Sequence, residues 1–326
     1  MIAFGGESLE EALQKRIVDA VSLRKKLFDL TRTNAYRLIN AEGDGLPGLI
    51  VDCYNDVLVL QASSPGVEKL KSLIVSHLVE ACKPKAIFEK SNSSLRKREG
   101  LADAVSLIYG KADPEVEVLE EGLRYSVHVL EGQKTGLFLD QREMRAQIRA
   151  LAHNQKVLNC FSYTGGFSIS ALAGGALSVD SVDVSAKCGP AIDRNLYLND
   201  LPQAKHRFYA QDAIDFVAAS KLDYGIVILD PPAFAKKRED IPKATHAYKK
   251  LNRAAMEKMA PGTILLTCSC SSQITEEMFQ TLMFRAALES KRQVRILGRH
   301  RQGADHPISI FHPETSYLKA LLLEVV

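Results

Sequence analysis

The sequence has no strong excess of either charge: 42 Lys and Arg stand against 39 Asp and Glu, a net charge of +3. This excludes an acidic tail and a basic coat spread over the whole surface, so an anionic partner must be met by a local patch. Cysteines are few: Cys53, Cys82, Cys160, Cys188, Cys268 and Cys270 are too scattered for a disulfide framework in 326 residues and read as free thiols. Cys268 and Cys270 form a CxC with no second Cys or His pair at ligand spacing, and the eight histidines include no HExxH, so no metal site is expected. No run approaches about 18 apolar residues, and the acidic start MIAFGGESLEEALQKR is unlike a secretory signal, so a cytoplasmic protein with no membrane partner is expected. Repeats and low-complexity tracts are absent as well.

With 46% hydrophobic and 25% charged residues, the chain has the composition of a globular protein, and its length suits two domains. Leu9, Leu13, Ile17, Val21, Leu27 and Leu30 recur at helical spacing after Ser8, an amphipathic helix with a cap. Short apolar runs punctuated by Gly45, Pro47, Gly48 and Asn55-Asp56 then read as strands joined by tight turns. Val67, Leu70, Ile74 and Leu78 give a helix, and further strands follow at 86–89 and 105–109. This is a small α+β domain over residues 1–120.

Over 121–326 the rhythm changes to strand and helix units. A hairpin-like alternation at 123–129 and a helix over 141–153 lead to strands near 156–160, 178–183, 206–210, 225–229 and 262–268. Such alternation implies a parallel sheet covered on both faces, with ligands at the carboxyl ends of its strands.

Chemistry-bearing residues follow those ends. Tyr163-Thr164-Gly165-Gly166 lies between a strand and a helix; it lacks GxGxxG, so it suits a carboxylate-bearing nucleoside better than a pyrophosphate, or is merely a tight turn. Asp183 closes the next strand, where a nucleoside-binding sheet places an acid on ribose hydroxyls, or else caps the following helix. Asp212 follows the third strand and either accepts from an adenine amino group or caps the helix beginning at Ala213. In LDPPAF, Asp230 stands at the tip of an apolar strand before Pro231 and Pro232, whose carbonyls could hold a planar base on which Phe234 stacks, or else the segment is a purely structural turn. The fifth end carries TCSCSS, where a cysteine is either a buried apolar thiol or a nucleophile.

The run NCFSYTGGFS, VDVS, LDPPAFAK and TCSCSS, preceded by EGQKTGLFLDQRE, resembles the class I S-adenosylmethionine-dependent methyltransferases of the bacterial 23S ribosomal RNA family that makes 5-methylcytosine. NAEGDGLPGLIVDCY resembles that family's middle domain, and the likeness spans roughly residues 30–326. It implies an α/β, Rossmann-like catalytic domain with a seven-stranded, mostly parallel sheet after the small α+β domain. Relatives commonly begin with an RNA-binding PUA domain, whereas here one candidate helix precedes the middle domain. Relatives also tend to have Phe-Ser-Cys-Ser where this chain has Cys268-Ser269-Cys270-Ser271, so Cys270 inherits the role of nucleophile and Asp230 that of its partner on the base.

By the same resemblance, S-adenosylmethionine would lie against Phe161, Tyr163, Gly165, Asp183, Asp212 and Asp230, with its methionine end near Gln141 and Arg142. The RNA would meet Pro231, Pro232, Phe234 and the basic run Lys236, Lys237 and Arg238, with Lys243, Lys249, Lys250 and Arg253 beyond it and Arg96, Lys97 and Arg98 as a second cluster. A homodimer is compatible with all of this. Two other functions remain open at this point: an amino-group methyltransferase acting on guanine N2 or adenine N6, which needs no cysteine, and an RNA-binding or assembly factor without turnover.

Overall fold

The computed structural model describes residues 6–326. Helix α1 (Leu9–Leu27) starts where Ser8 accepts from the Glu11 amide and Glu11 returns a bond to the Ser8 amide. Strands β1 (Ala35–Asn40), β2 (Leu49–Tyr54) and β3 (Val57–Ala62) follow, then α2 (Pro65–Cys82), β4 (Ala86–Ser91), the short α3 (Ser94–Arg98) and β5 (Ala104–Gly110). They form a five-stranded sheet in sequence order in which only β3 and β4 pair in parallel, and α1 and α2 pack their Leu13, Ile17, Ile74 and Leu78 against it. A hairpin of β6 (Glu115–Glu120) and β7 (Leu123–His128) completes the strands of this part.

Two compact units result, the first ending at Arg142 and including Gly303–Thr315, the second holding Glu143–Gln302 and Ser316–Val326. The expected division near residue 120 would cut the β6–β7 hairpin in two. The hairpin stays with the first unit because Asn34 exchanges bonds with Leu119 (3.0 and 2.6 Å) and the Gly122 amide donates to Arg32. The same unit encloses an ionic cluster: Arg24 holds Asp44, Arg37 holds Asp52, and Arg142 holds Asp305.

The second unit begins with α4 (Arg142–Leu151), whose first residue still belongs to the first unit, and continues with β8 (Lys156–Cys160), α5 (Gly166–Ala173), β9 (Ser178–Asp183), α6 (Cys188–Leu198), β10 (His206–Ala210), α7 (Ala213–Ala219) and β11 (Ile226–Leu229). Then come α8 (Ile241–Lys258), β12 (Thr263–Ser269), α9 (Glu276–Glu289), β13 (Val294–His300) and β14 (Lys319–Val325). The seven strands stand in the order β10-β9-β8-β11-β12-β14-β13. The first five are mutually parallel, with apolar runs in the central β8, β11 and β12, and β14 runs antiparallel between β12 and β13. This is the Rossmann-like α/β fold expected. Neither β13 nor β14 was legible as a strand in the sequence reading.

All six cysteines are free thiols. No helix among the described residues is long and apolar enough to cross a membrane.

Candidate active site

The strand order switches at β8, which has β9 on one side and β11 on the other, all three parallel. A crevice at the carboxyl ends of the strands is the general consequence of such a switch. The loop that opens it, residues 161–165, is held in a rare conformation: Phe161 (φ 60°), Tyr163 (φ 47°) and Gly165 (φ 79°) all lie in the left-handed region. Two of the three carry side chains, so the loop stores strain that its surroundings must hold.

Asp183 supplies much of that hold. Its Oδ2 accepts from the Tyr163 amide at 2.9 Å and its Oδ1 from the Ser185 amide at 3.0 Å. Asn195 adds a bond from its amide group to the Thr164 carbonyl at 2.9 Å. Asp183 does not cap α6, whose N-cap is Lys187. Instead a half-buried carboxylate sits at the strand tip beside a strained glycine loop, an arrangement whose remaining oxygen lone pairs suit the hydroxyls of a ribose.

Asp212 does cap its helix: Oδ1 accepts from the Ile214 and Asp215 amides at 2.8 and 3.1 Å. It also borders an open groove of about 470 Å³ lined by Tyr209, Gln211, Asp215 and Phe216. Gln141 and Arg142 belong to the first unit. Gln141 is buried with Oε1 lacking a hydrogen-bond partner, and the Arg142 guanidinium lies 2.6 Å from Asp305 and over the Phe28 ring at 4.5 Å.

The loops after β11 and β12 are tied to each other. Ser271, fully buried, accepts the Ala235 amide at 3.1 Å and shares a 3.0 Å hydrogen bond with the Tyr248 hydroxyl. The half-buried Cys270 thiol donates to the Pro231 carbonyl at 3.7 Å. Cys270 therefore stands one residue past the end of β12 against the Asp230-Pro231-Pro232 segment, while Cys268 lies inside the strand, fully buried. The Phe234 ring is half-buried on Tyr248, 4.7 Å between centroids, and Tyr248 meets Phe279 edge-on at 5.7 Å. Thus Phe234 is anchored to the α8 core along one side.

Sequence reasoning missed three residues here. Ser271 and Tyr248 lock the two loops together, and Lys319, the first residue of β14, donates to the Ser271 carbonyl at 2.6 Å. A lysine opening the otherwise apolar run ALLLEVV was the one available signal for the last of these.

The basic run after the loop is exposed. The Lys236 and Lys237 amides both donate to the Asp240 carboxylate, which holds that carboxyl below its usual range. Lys237 pairs with Glu239 at 3.3 Å, Lys249 with Glu289 at 2.6 Å, and Arg253 with Glu257 at 3.6 Å. Lys236, Arg238, Lys243 and Lys250 are exposed and make no ion pair among the described residues. The second cluster fails as a surface: Arg96 is buried and its guanidinium clamps Glu68 (2.6 Å) and the Ala62 and Ala102 carbonyls. Ser93 caps the short α3 and turns Arg96 inward; Lys97 meanwhile pairs with Asp103.

The family model described as S-adenosylmethionine-dependent methyltransferase matches residues 37–307. Ribosomal RNA large subunit methyltransferase I of Tolumonas auensis is 40% identical over 97% of this chain and 81% of its own length. The protein of the same name from Aliivibrio fischeri is 39% identical over 96% of this chain and 80% of its own. Among solved structures, a methyltransferase complexed with SAH superposes with a TM-score of 0.88 and 26% identity, over 100% of this chain and 84% of that one. Trm5b of Pyrococcus abyssi, at TM-score 0.62 and 17% identity over 84% of this chain and 74% of its own, shares the fold.

Proposed function

The chain belongs to the S-adenosylmethionine-dependent methyltransferase family, and on that premise we propose that it methylates C5 of a cytosine in large-subunit ribosomal RNA, in the cytoplasm, through a covalent bond from Cys270 to C6. The observation that carries this reading is the junction of the two loops, which sets the Cys270 sulfur 3.7 Å from the Pro231 carbonyl, one residue from Asp230. A thiol at a strand terminus beside an acid is what addition to a pyrimidine ring requires, and an exocyclic amine would need no such thiol. The names of the curated relatives support ribosomal RNA as the substrate.

S-adenosylmethionine, when bound, supplies an electrophilic methyl group on a sulfonium. Phe161, Tyr163 and Gly165 would cradle it, Asp183 would take its ribose hydroxyls, and Asp212 would border its adenine. The donor set fits: a carboxylate with spare acceptors at the strand tip and a loop already fixed in its strained form.

Cys270 acts on the other reactant. Its thiolate forms an S–C6 bond, and the C5–C6 π pair moves onto C5 and the N3 side of the ring, which makes C5 nucleophilic. Asp230 holds N3 and shares its proton there, offsetting the developing charge. Once C5 carries the methyl group, loss of the C5 proton and departure of Sγ from C6 restore the ring. Pro231 and Pro232 stiffen the loop that carries Asp230, and Phe234, fixed by Tyr248, offers an aromatic edge to the base. A target base in structured RNA must leave its stack to reach this depth, and the exposed Lys236, Lys237 and Arg238 are placed to hold phosphates beside it.

The test is adduct trapping on RNA carrying 5-fluorocytidine, where the missing C5 proton blocks release. Wild type and Cys268→Ala should give a denaturation-resistant adduct and Cys270→Ala none, with S-adenosylmethionine affinity intact in both variants. An adduct that survives in Cys270→Ala sinks the assignment. Methylation that persists without Cys270 points to an amino-group acceptor.

A further inference from the structure

We propose that Lys319 is a positioning residue for Cys270: its ammonium, anchored on the Ser271 carbonyl, fixes the turn that carries the sulfur and favours the thiolate. The inference rests on the reading of Cys270 as nucleophile.

The register of β12 and β14 sets Lys319 directly opposite Ser269, one residue before Cys270. From there its Nζ donates to the Ser271 carbonyl at 2.6 Å and to the Tyr317 carbonyl at 2.7 Å, so it bonds the residue on the far side of Cys270. The side chain is buried, and no carboxylate lies within ion-pair distance of it among the described residues. A buried ammonium lacking a counter-ion is costly, and two carbonyl dipoles offset only part of that cost.

The ionisable groups whose fields reach it are Cys270 and Glu276. Glu276, at the start of α9, is already engaged by Arg301 at 2.7 Å. From α8, Tyr248 also faces Cys270; burial pushes its phenol up, so it stays neutral there. The β11 loop presents a carbonyl, that of Pro231, with Asp230 at its start. Cys270 as thiolate would thus offset the Lys319 charge, whose ammonium is held on the Ser271 carbonyl next to it. Burial lowers Lys319 to about 8, which leaves it mainly protonated at neutral pH. Ionisation of Cys270 sends the Sγ proton to solvent while the ammonium keeps its own, so the pair needs no further reactant. An opposite charge at such range lowers a thiol pKa by about one to three units.

The experiment follows Cys270 alkylation by iodoacetamide from pH 5.5 to 9.5 on the full chain, with the labelled cysteine identified by peptide mass spectrometry. Wild type and Lys319→Arg should share one midpoint, and Lys319→Met should shift it upward by about one unit or more, roughly tenfold slower labelling at pH 7. In turnover, Lys319→Met should lower kcat with the S-adenosylmethionine KM unchanged. Should Lys319→Met fail to fold, Lys319→Gln, which keeps a donor but no charge, serves in its place with the same expected shift. A neutral variant whose alkylation profile coincides with that of wild type overturns the proposal. The 5-fluorocytidine trap separates the two readings: no adduct in wild type removes Cys270 as nucleophile, whereas a normal adduct with an unshifted profile removes only Lys319.

Discussion

Replacing Asp183 with Ala should weaken S-adenosylmethionine binding by one to two orders of magnitude. The carboxylate receives two backbone N–H groups, from Tyr163 at 2.9 Å and Ser185 at 3.0 Å, and in the proposed complex would also accept from the ribose. A hydrogen bond to a charged group contributes about 1.5–3 kcal/mol. Loss of the ribose bond alone therefore predicts roughly a 10- to 150-fold rise in Kd. Loss of the brace adds to this, because Phe161 and Tyr163 occupy left-handed backbone at about 1–3 kcal/mol each and would relax without it. Titration calorimetry with S-adenosylmethionine and with SAH measures the effect, and circular dichroism shows that the sheet persists. Asp183→Asn, which keeps an acceptor but not the charge, should fall between wild type and Ala. Asp212→Ala provides the contrast: it removes the α7 cap and about 1 kcal/mol of stability, with a smaller loss of affinity. A folded Asp183→Ala protein that binds within about twofold of wild type, where a charged hydrogen bond should have been lost, would refute the placement.

Replacing Lys236, Lys237 and Arg238 together with Ala should weaken RNA binding and flatten its salt dependence by roughly two to three units of log–log slope, since each phosphate contact contributes about 0.7–0.9. Cofactor affinity should not change; an unaltered slope over the same salt range would move the RNA surface elsewhere. Stability should fall as the solution is acidified below about pH 6.5. His206 is held below its ordinary value by burial, and its ring shares a 2.8 Å bond with Ser181 in a chain that continues to Ser168 and Asn159. Its folded-state pKa lies below the unfolded value, so the unfolded chain takes up the proton first; the stabilisation is complete above about 6.5 and is lost as pH falls toward the depressed pKa. His206→Gln should reduce the drop in melting temperature between pH 7 and pH 5, and an identical drop in that variant would place the titration on other groups.

The parallel core of the fold was legible because its signal is local. Strands buried on both faces, such as β8 and β11, read as apolar runs, and the regular strand–helix spacing placed the more polar β9 and β10 at 178–183 and 206–210. The residues at their ends followed from the same pattern. Pairing order is not local, and so the antiparallel place of β14 between β12 and β13 was unreadable, although its apolar run stands in the sequence. Charge runs were ambiguous for a related reason: Arg96 and Arg98 look alike in sequence, but the Ser93 cap and Glu68 bury only the first. Asp183 and Asp212 were indistinguishable as capping residues, and only the loop geometry separates a carboxylate that braces Tyr163 from one that caps α7.

The reversed direction of β14 bears directly on the chemistry. Five parallel strands, β8 to β12, deliver their last residues to one edge of the sheet, which is why Cys160, Asp183, Ala210, Leu229 and Ser269 all stand near loops of interest. A parallel neighbour of β12 would have brought its own final residue there. An antiparallel one brings its first, and in this chain that residue is Lys319, opposite Ser269. A cation could also have been carried on a connecting loop, but it would then lie in water, strongly solvated and screened. Placed at the start of a buried strand, the ammonium is fixed by backbone pairing with Ser269 and by two carbonyls, with little freedom to turn away from Cys270. The strand order thus sets a basic residue inside the sheet edge, where a thiolate can use its charge.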